Sequence, residues 1–93
     1  SLEKTHTIKS NRESGYGRYD VMIIPQDVNQ LGIILEFKNT KKSESIQSAA
    51  KKALEQIKNK NYLIELQQIG IQNNLLLGLA FKNKEVRMVS EFV

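Results

Sequence analysis

The sequence contains no cysteine, and this absence excludes several kinds of site. Without thiols the chain can form no disulfide framework, no thiolate zinc site and no thiol nucleophile. The absence agrees with a reducing compartment, and we expect a cytoplasmic protein. Gly15 and Gly17 are too few and wrongly spaced for a phosphate-binding P-loop. The one histidine, His6, lies in the first predicted strand, and we expect it to be structural.

Long apolar runs are also lacking. None approaches the ~20 residues that a membrane-spanning helix needs, and no charged-then-apolar leader of the signal-peptide kind opens the chain. We expect residues 1–93 to form a single domain with one modest core. Because the chain opens at Ser1 without a methionine, we expect that domain to be a fragment of a longer protein.

Charge is biased toward the positive. The chain has 14 Lys and Arg against 10 Asp and Glu, for a net charge of +4. This balance favours polyanionic partners such as nucleic acids, although many proteins that bind none share it. Lys41, Lys42, Lys51 and Lys52 either track a nucleic-acid backbone or form a solvated face.

The spacing of apolar and turn residues predicts the order β-β-β-α-α-β-β. Strands are predicted over residues 5–9, 18–24, 31–38, 75–81 and 85–92, with a polar, glycine-containing loop at 10–17. Pro25 ends the second strand because proline cannot donate to the ladder. The second and third strands are joined closely enough to form an antiparallel hairpin.

The segment after the third strand changes to helical spacing. Its apolar residues fall at i, i+3, i+4, i+7, i+8 and i+11, namely Ile46, Ala49, Ala50, Ala53, Leu54 and Ile57. Ser43 or Ser45 can cap this helix, and a short second helix over residues 62–68 should stop at Gly70. We therefore expect an α/β (α+β) fold with one long helix packed on a face of the sheet.

Three charged residues interrupt two of the predicted strands. Glu36 and Lys38 share one face of an otherwise apolar strand, while Phe37 points to the other face. Asp20, sixteen positions before Glu36, can converge with it across the hairpin. Two convergent carboxylates suit Mg²⁺ or Mn²⁺, and such an ion can neutralise a phosphodiester and activate water.

A plainer interpretation of these charges stays open. Asp20, Glu36 and Lys38 can be surface ions on half-exposed strands, where ion pairs add little stability. The spacing alone arises by chance in strand-rich proteins. The context favours a metal site, because the charges fall where apolar residues would continue the strands.

The segments around Asp20 and Glu36 also carry a family likeness. Residues 11–20 read NRESGYGRYD and residues 32–38 read GIILEFK, and residues 53–57, Tyr62, 78–81 and 84–86 follow in matching order. Together they resemble the PD-(D/E)XK nuclease-superfamily domain that follows AAA-ATPase-like domains in many bacterial proteins. The resemblance covers almost the whole chain.

The resemblance implies a restriction-endonuclease-like core with a mixed sheet, and metal-dependent hydrolysis of nucleic acid, with DNA as the expected substrate. The alternative is a catalytically inactive nuclease-like module that binds nucleic acid or mediates protein assembly. Asp20 and Glu36 would hold Mg²⁺ or Mn²⁺, with the backbone carbonyl of Phe37 as a further ligand. Lys38 would be the catalytic lysine.

Other matching residues would border this site. Gln56 and Tyr62 resemble a helix-borne glutamine and a following tyrosine of related nucleases, and we expect Gln56 to act in catalysis and Tyr62 to contact nucleic acid. From its place at the margin of the helix stripe, Gln56 can face either the site or water. Arg12 and Arg18 either contact phosphate or pair locally, for example with Glu13.

The sequence departs from the family pattern in two places. Tyr19 stands where the family name has proline, which does not touch the metal chemistry. The family core usually begins with a helix, whereas only residues 1–4 precede the first predicted strand here. We therefore expect that helix to be missing, and a partner copy to cover the exposed face as a homodimer.

Overall fold

The computed structural model describes residues 2–14 and 17–93, and the side chains of Glu3 and of residues 11–14 and 17–19 lie outside that description. Its centre is a five-stranded sheet in the order β1-β2-β3-β4-β5. The strands are β1 (His6–Ser14), β2 (Gly17–Pro25), β3 (Gly32–Asn39), β4 (Asn74–Lys82) and β5 (Glu85–Phe92), and a short 3₁₀ turn, Leu2–Lys4, precedes β1.

The sheet is mixed. β3 and β4 run parallel, and the other neighbouring strands are antiparallel. Parallel neighbours need a crossover connection, and here it contains α1 (Ile46–Asn59) and α2 (Leu63–Ile69). The predicted element order, the antiparallel β2–β3 pair and the mixed sheet with a long helix on one face are confirmed.

Helix α1 lies unusually close to β4. It begins after Ser45, whose hydroxyl accepts a hydrogen bond from the Ser48 N–H at 3.1 Å. Where it crosses β4 the sheet has Gly78, and a Cβ at that position would lie 2.5 Å from both Ala50 O and Leu54 N. The missing side chain therefore allows the helix to rest on the strand.

The core fills the space between the sheet and the two helices. Met22, Ile34 and Leu76 point up from the strands and meet Ile57 and Leu66 of the helices, all of them buried. The core layer between sheet and helices therefore buries alternate residues of each central strand.

Helix α2 ends at Gly70, whose φ of 103° lies in the left-handed region that favours glycine.

The opposite face of the sheet, which we call the open face, is not covered by α1 or α2. Ser10, Asn39 and Ser90 lie on it, but most of its described side chains are apolar and half-buried or exposed, and none is charged. The apolar ones include Ile8, Val21, Ile23, Ile33, Leu35, Phe37, Leu75, Leu77, Leu79, Phe81, Val86, Met88 and Phe92. Phe37 and Phe81 meet edge to face, with ring centroids 6.1 Å apart.

The predicted loop at residues 10–17 is wrong for most of its length. β1 continues to Ser14 and β2 starts at Gly17, with Arg12 paired to Tyr19 and Ser14 to Gly17. Backbone pairing to one neighbour satisfies a polar edge strand without an apolar pattern, which is why side-chain character misled the prediction. Elsewhere the bounds differ from prediction by one or two residues at most, and those of β5 agree.

Candidate functional site

The site forms where β2 and β3 stop pairing. Their described register ends at Val21 opposite Leu35, so Asp20 and Glu36 would be the next pair. Instead, the Phe37 N–H donates to Asp20 Oδ2 at 2.6 Å. The carboxylate thus replaces a ladder hydrogen bond, which fixes Asp20 beside Glu36 on the helix-covered face of the sheet.

Glu36 is a buried carboxylate with an unsatisfied atom. Its side chain is 7% exposed, and its Oε2 makes no hydrogen bond within the described residues. Burial, followed by the negative charge of Asp20 and a hydrogen bond with it, raises the pKa of Glu36 to about 7, while Lys60 acts in the opposite sense. Near neutral pH, Glu36 therefore carries a proton for much of the time.

A divalent cation fits this pair. A buried carboxylate is costly to ionise without a counter-charge, and a cation in place of the Glu36 proton would supply that charge and engage Oε2 of Glu36, which no described group satisfies. Mg²⁺ commonly takes only one or two carboxylates and completes its shell with water and substrate phosphate. Within the described residues, no group of three or more His, Cys, Asp or Glu converges, so this pair would hold the ion with oxygen ligands of other kinds. The Phe37 carbonyl as such a ligand stays a prediction.

Lys38 lies two residues beyond Glu36 on the same face of β3, and it makes no ion pair with another described residue. Lys38 lines a cleft of about 500 Å³ that runs along one side of α1, which we call the α1 cleft. The α1 cleft is lined by Lys38, Ser48, Lys51, Lys52, Glu55, Gln56, Asn59 and Lys60. Lys38 therefore lies between the carboxylate pair and the lysine-rich α1 cleft.

Two residues of the α1 region need separate treatment. Gln56 is exposed and lines the cleft, and its role in catalysis stays a prediction. Tyr62 is 0% exposed and belongs to the core with Met22 and Leu66. A buried ring has no surface for nucleic acid, so a packing role replaces the predicted contact.

Lys60 was not among the residues singled out from the sequence. It lines the α1 cleft and exerts its charge on Glu36, although the two residues are far apart in sequence. Only the path of α1 across the sheet brings them together. The available sequence signal was weak: Lys60 lies four residues after Gln56, which places both on one side of a helix.

Arg12 and Arg18 belong to the β1–β2 hairpin, where their backbones stand opposite Tyr19 and Glu13 respectively in the strand register. Their side chains lie outside the described residues. Their contact with phosphate stays a prediction.

A mixed sheet with a helical crossover, two converging carboxylates and a neighbouring lysine are the features of a nuclease-like module. Comparison with known families agrees, since the profile of the PD-(D/E)XK nuclease superfamily matches residues 1–91. The chain therefore belongs to the PD-(D/E)XK nuclease superfamily, whose members generally use divalent metals and act on nucleic acid. No curated protein and no solved structure matches it.

Among the described residues, no helix has the length and apolarity needed to cross a membrane.

Proposed function

We propose that residues 1–93 act as one nuclease domain that hydrolyses the phosphodiester bonds of DNA with Mg²⁺ or Mn²⁺. The observation that carries the proposal is the buried Glu36 beside Asp20, with a carboxylate oxygen that no described group satisfies. A surface ion pair would not need to be buried, and a core position would not need a charge. Two adjacent carboxylates in this setting match a cation site.

Each group at the site has a part in this chemistry. Asp20 and Glu36 would hold the ion with the Phe37 carbonyl, and the ion would neutralise the phosphate charge and activate water. The Phe37 N–H keeps Asp20 in place. The Lys38 ammonium is positioned to hold a phosphate oxygen or the attacking water, and the Gln56 amide can orient the same groups from α1. Arg12 and Arg18 would contact the nucleic-acid backbone.

The second candidate is an inactive nuclease-like module that binds nucleic acid or mediates assembly. One observation favours it: the described residues supply two carboxylates, with no third acidic or imidazole group beside them. Assembly would use the open face, either in a homodimer or against an AAA-ATPase-like domain of the parent protein. We place either activity in the cytoplasm, where a chain without cysteine loses nothing to the reducing conditions.

The test is nicking of supercoiled plasmid by the purified chain with Mn²⁺, Mg²⁺ or EDTA. Asp20→Asn keeps an acceptor for the Phe37 N–H but removes the charge, and Lys38→Gln removes the ammonium. We expect nicking that EDTA abolishes and that each variant lowers by at least ~100-fold.

Matched controls come from exposed positions. Asp27→Asn removes a carboxylate that accepts only from the Asn29 N–H in an exposed turn, and Lys84→Gln removes an exposed lysine outside the site. Both should nick plasmid at the wild-type rate. Cleavage that survives EDTA, or that Asp20→Asn leaves intact, would contradict the nuclease proposal. DNA binding without cleavage by a folded protein would support the second candidate.

A further inference from the structure

We propose that the α1 cleft is the path of the nucleic-acid strand beside the carboxylate pair, with Lys51 and Lys60 as its phosphate contacts. The inference rests on the proposed function, because it names how that site would hold its substrate. It concerns residues that the family motif does not include.

The charge of the α1 cleft is the first observation. Within the described part of the chain, four lysines line it against one glutamate, Glu55, although the whole chain carries a net charge of only +4. Glu55 lies 3.7 Å from Lys58, a residue that does not line the cleft. Much of the excess positive charge of the chain is thus gathered in one groove, which is the arrangement that attracts a polyanion.

The second observation is that three of these lysines form no ion pair with a described residue. Lys52 is paired with Glu44 at 2.6 Å, whereas Lys38, Lys51 and Lys60 form no ion pair there. On the β5 side of the same helix, by contrast, side-chain hydrogen bonds connect α1 to β5. Lys58 Nζ bonds Glu91 at 3.2 Å, and Arg87 bonds Gln47 at 2.9 Å. The side of α1 that is left open is therefore the side with unpaired cations.

The third observation is position. Lys38 is two residues from Glu36 on the same face of β3, and Lys60 lies near enough for its charge to act on Glu36. The lining residues extend from Ser48 to Lys60 along α1, which is ~18 Å of helix at ~1.5 Å per residue. One DNA strand carries a phosphate every ~3.4 Å of its axis, so the cleft can follow roughly five phosphates leading to the carboxylate pair.

The residues that line the α1 cleft also indicate that it would not recognise base sequence. Among the side chains that the structure describes, no aromatic ring lines it to stack on bases and no arginine lines it to read guanine. Lysine acts on phosphate as a point charge. Binding in the cleft should therefore depend on the backbone and not on base sequence. Lys41 and Lys42, which the sequence grouped with Lys51 and Lys52, do not line it.

The experiment measures binding of fluorescently labelled oligonucleotides, single-stranded and duplex, by anisotropy in EDTA so that no cleavage occurs. The variant Lys51→Gln/Lys60→Gln is compared with Lys4→Gln/Lys84→Gln, which loses the same charge at exposed positions outside the cleft. We expect the cleft variant to bind at least ~10-fold more weakly at low salt. The slope of log K against log salt should fall by roughly 2, and two unrelated base sequences should bind alike.

Equal weakening by both double variants would overturn the inference, since it would mean that net charge alone acts. So would unchanged affinity in the cleft variant. The test is independent of catalysis. If the cleft variant loses binding but the wild type does not nick plasmid, the cleft is supported as a binding site and the nuclease proposal is contradicted. If the wild type nicks plasmid but the cleft variant binds as tightly as the wild type, the nuclease proposal is supported and the cleft inference is contradicted.

Discussion

At the scale of single residues, Glu36 is a buried carboxylate whose ionisation costs stability. Its oxygen Oε2 has no described partner, and burial and Asp20 raise its pKa to about 7. The folded protein therefore keeps Glu36 protonated up to about pH 7, whereas in the unfolded chain Glu36 ionises with its ordinary pKa of 4.5. A buried carboxylate without a counter-charge is unfavourable, which is the cost that the proposed cation would remove.

The pH dependence of stability follows from this shift. Because the folded pKa is raised, the Glu36 contribution is fully present below pH 4.5 and is lost as the pH rises through about 7. We expect metal-free protein to lose on the order of 2 kcal/mol of unfolding free energy across that window, after allowance for solvent screening. Urea unfolding in EDTA at several pH values measures it.

Glu36→Gln should remove this part of the pH dependence, because glutamine stays neutral. At pH 8 in EDTA we expect the variant to be more stable than the wild type, by ~1–2 kcal/mol, even though it loses activity. Glu85→Gln, at an exposed position of β5, is the control and should change neither quantity. A wild type and a Glu36→Gln variant with the same pH profile would show that Glu36 is not held near neutrality.

Metal should reverse the order of stability. A ligand that binds only the folded state stabilises it by RT ln(1 + [L]/Kd), so Mn²⁺ should raise the melting temperature of the wild type. Asp20→Asn and Glu36→Gln should abolish that increase, and Asp27→Asn should keep it. The increase should also be larger at pH 8 than at pH 6, since the ion must displace a proton from the pair. An equal increase in all four proteins would mean that Mn²⁺ binds elsewhere.

At the scale of elements, the placement of α1 on β4 connects the core to the site. The helix presents Ala49, Ala50 and Ala53 to the sheet with no exposed surface, and Gly78 below it leaves room for its backbone. Small residues on both sides bring the helix close, and this closeness puts its Gln56 and Lys60 beside β3. The α1 cleft is thus a consequence of backbone proximity.

Gly78→Ala tests this arrangement. The added methyl would lie 2.5 Å from Ala50 O and Leu54 N, which are backbone atoms that cannot rotate away. We expect a loss of ~1–3 kcal/mol in unfolding free energy, as overpacking typically causes, measured by urea denaturation. Ser90→Ala, in the neighbouring strand and exposed, should be near neutral. If Gly78→Ala proved equally stable, the helix would have to be free to lift from the strand.

At the scale of the whole molecule, the two faces of the sheet differ sharply. One carries the helices, the core and the site, and the other is the open face, with no charged side chain among its described residues. Contiguous apolar patches of this kind are uncommon on monomers and mark surfaces that are covered by another structure. Phe92, at 72% exposed, is the most accessible large apolar side chain on it.

We expect the isolated chain to self-associate through the open face, in the manner proposed for a homodimer. Sedimentation velocity at increasing protein concentration should show a species larger than 10.6 kDa. Phe92→Glu places a charge in the patch and should restore the monomer, while Gln68→Glu, an equal charge change at an exposed position of α2, should not. A wild type that stays monomeric at all concentrations would contradict this.

The sequence by itself determined the strands from β2 to β5, the helix α1 and the convergence of Asp20 with Glu36. These follow from local periodicity and from a short connection between adjacent strands, which leaves little choice of partner. The tertiary structure alone decided that Tyr62 is buried, that the charge of Lys60 acts on Glu36 and that Lys51 lines a cleft while Lys41 does not. Periodicity shows which face of an element is apolar, but the crossover from β3 to β4 fixes where the polar side of α1 lies against the sheet.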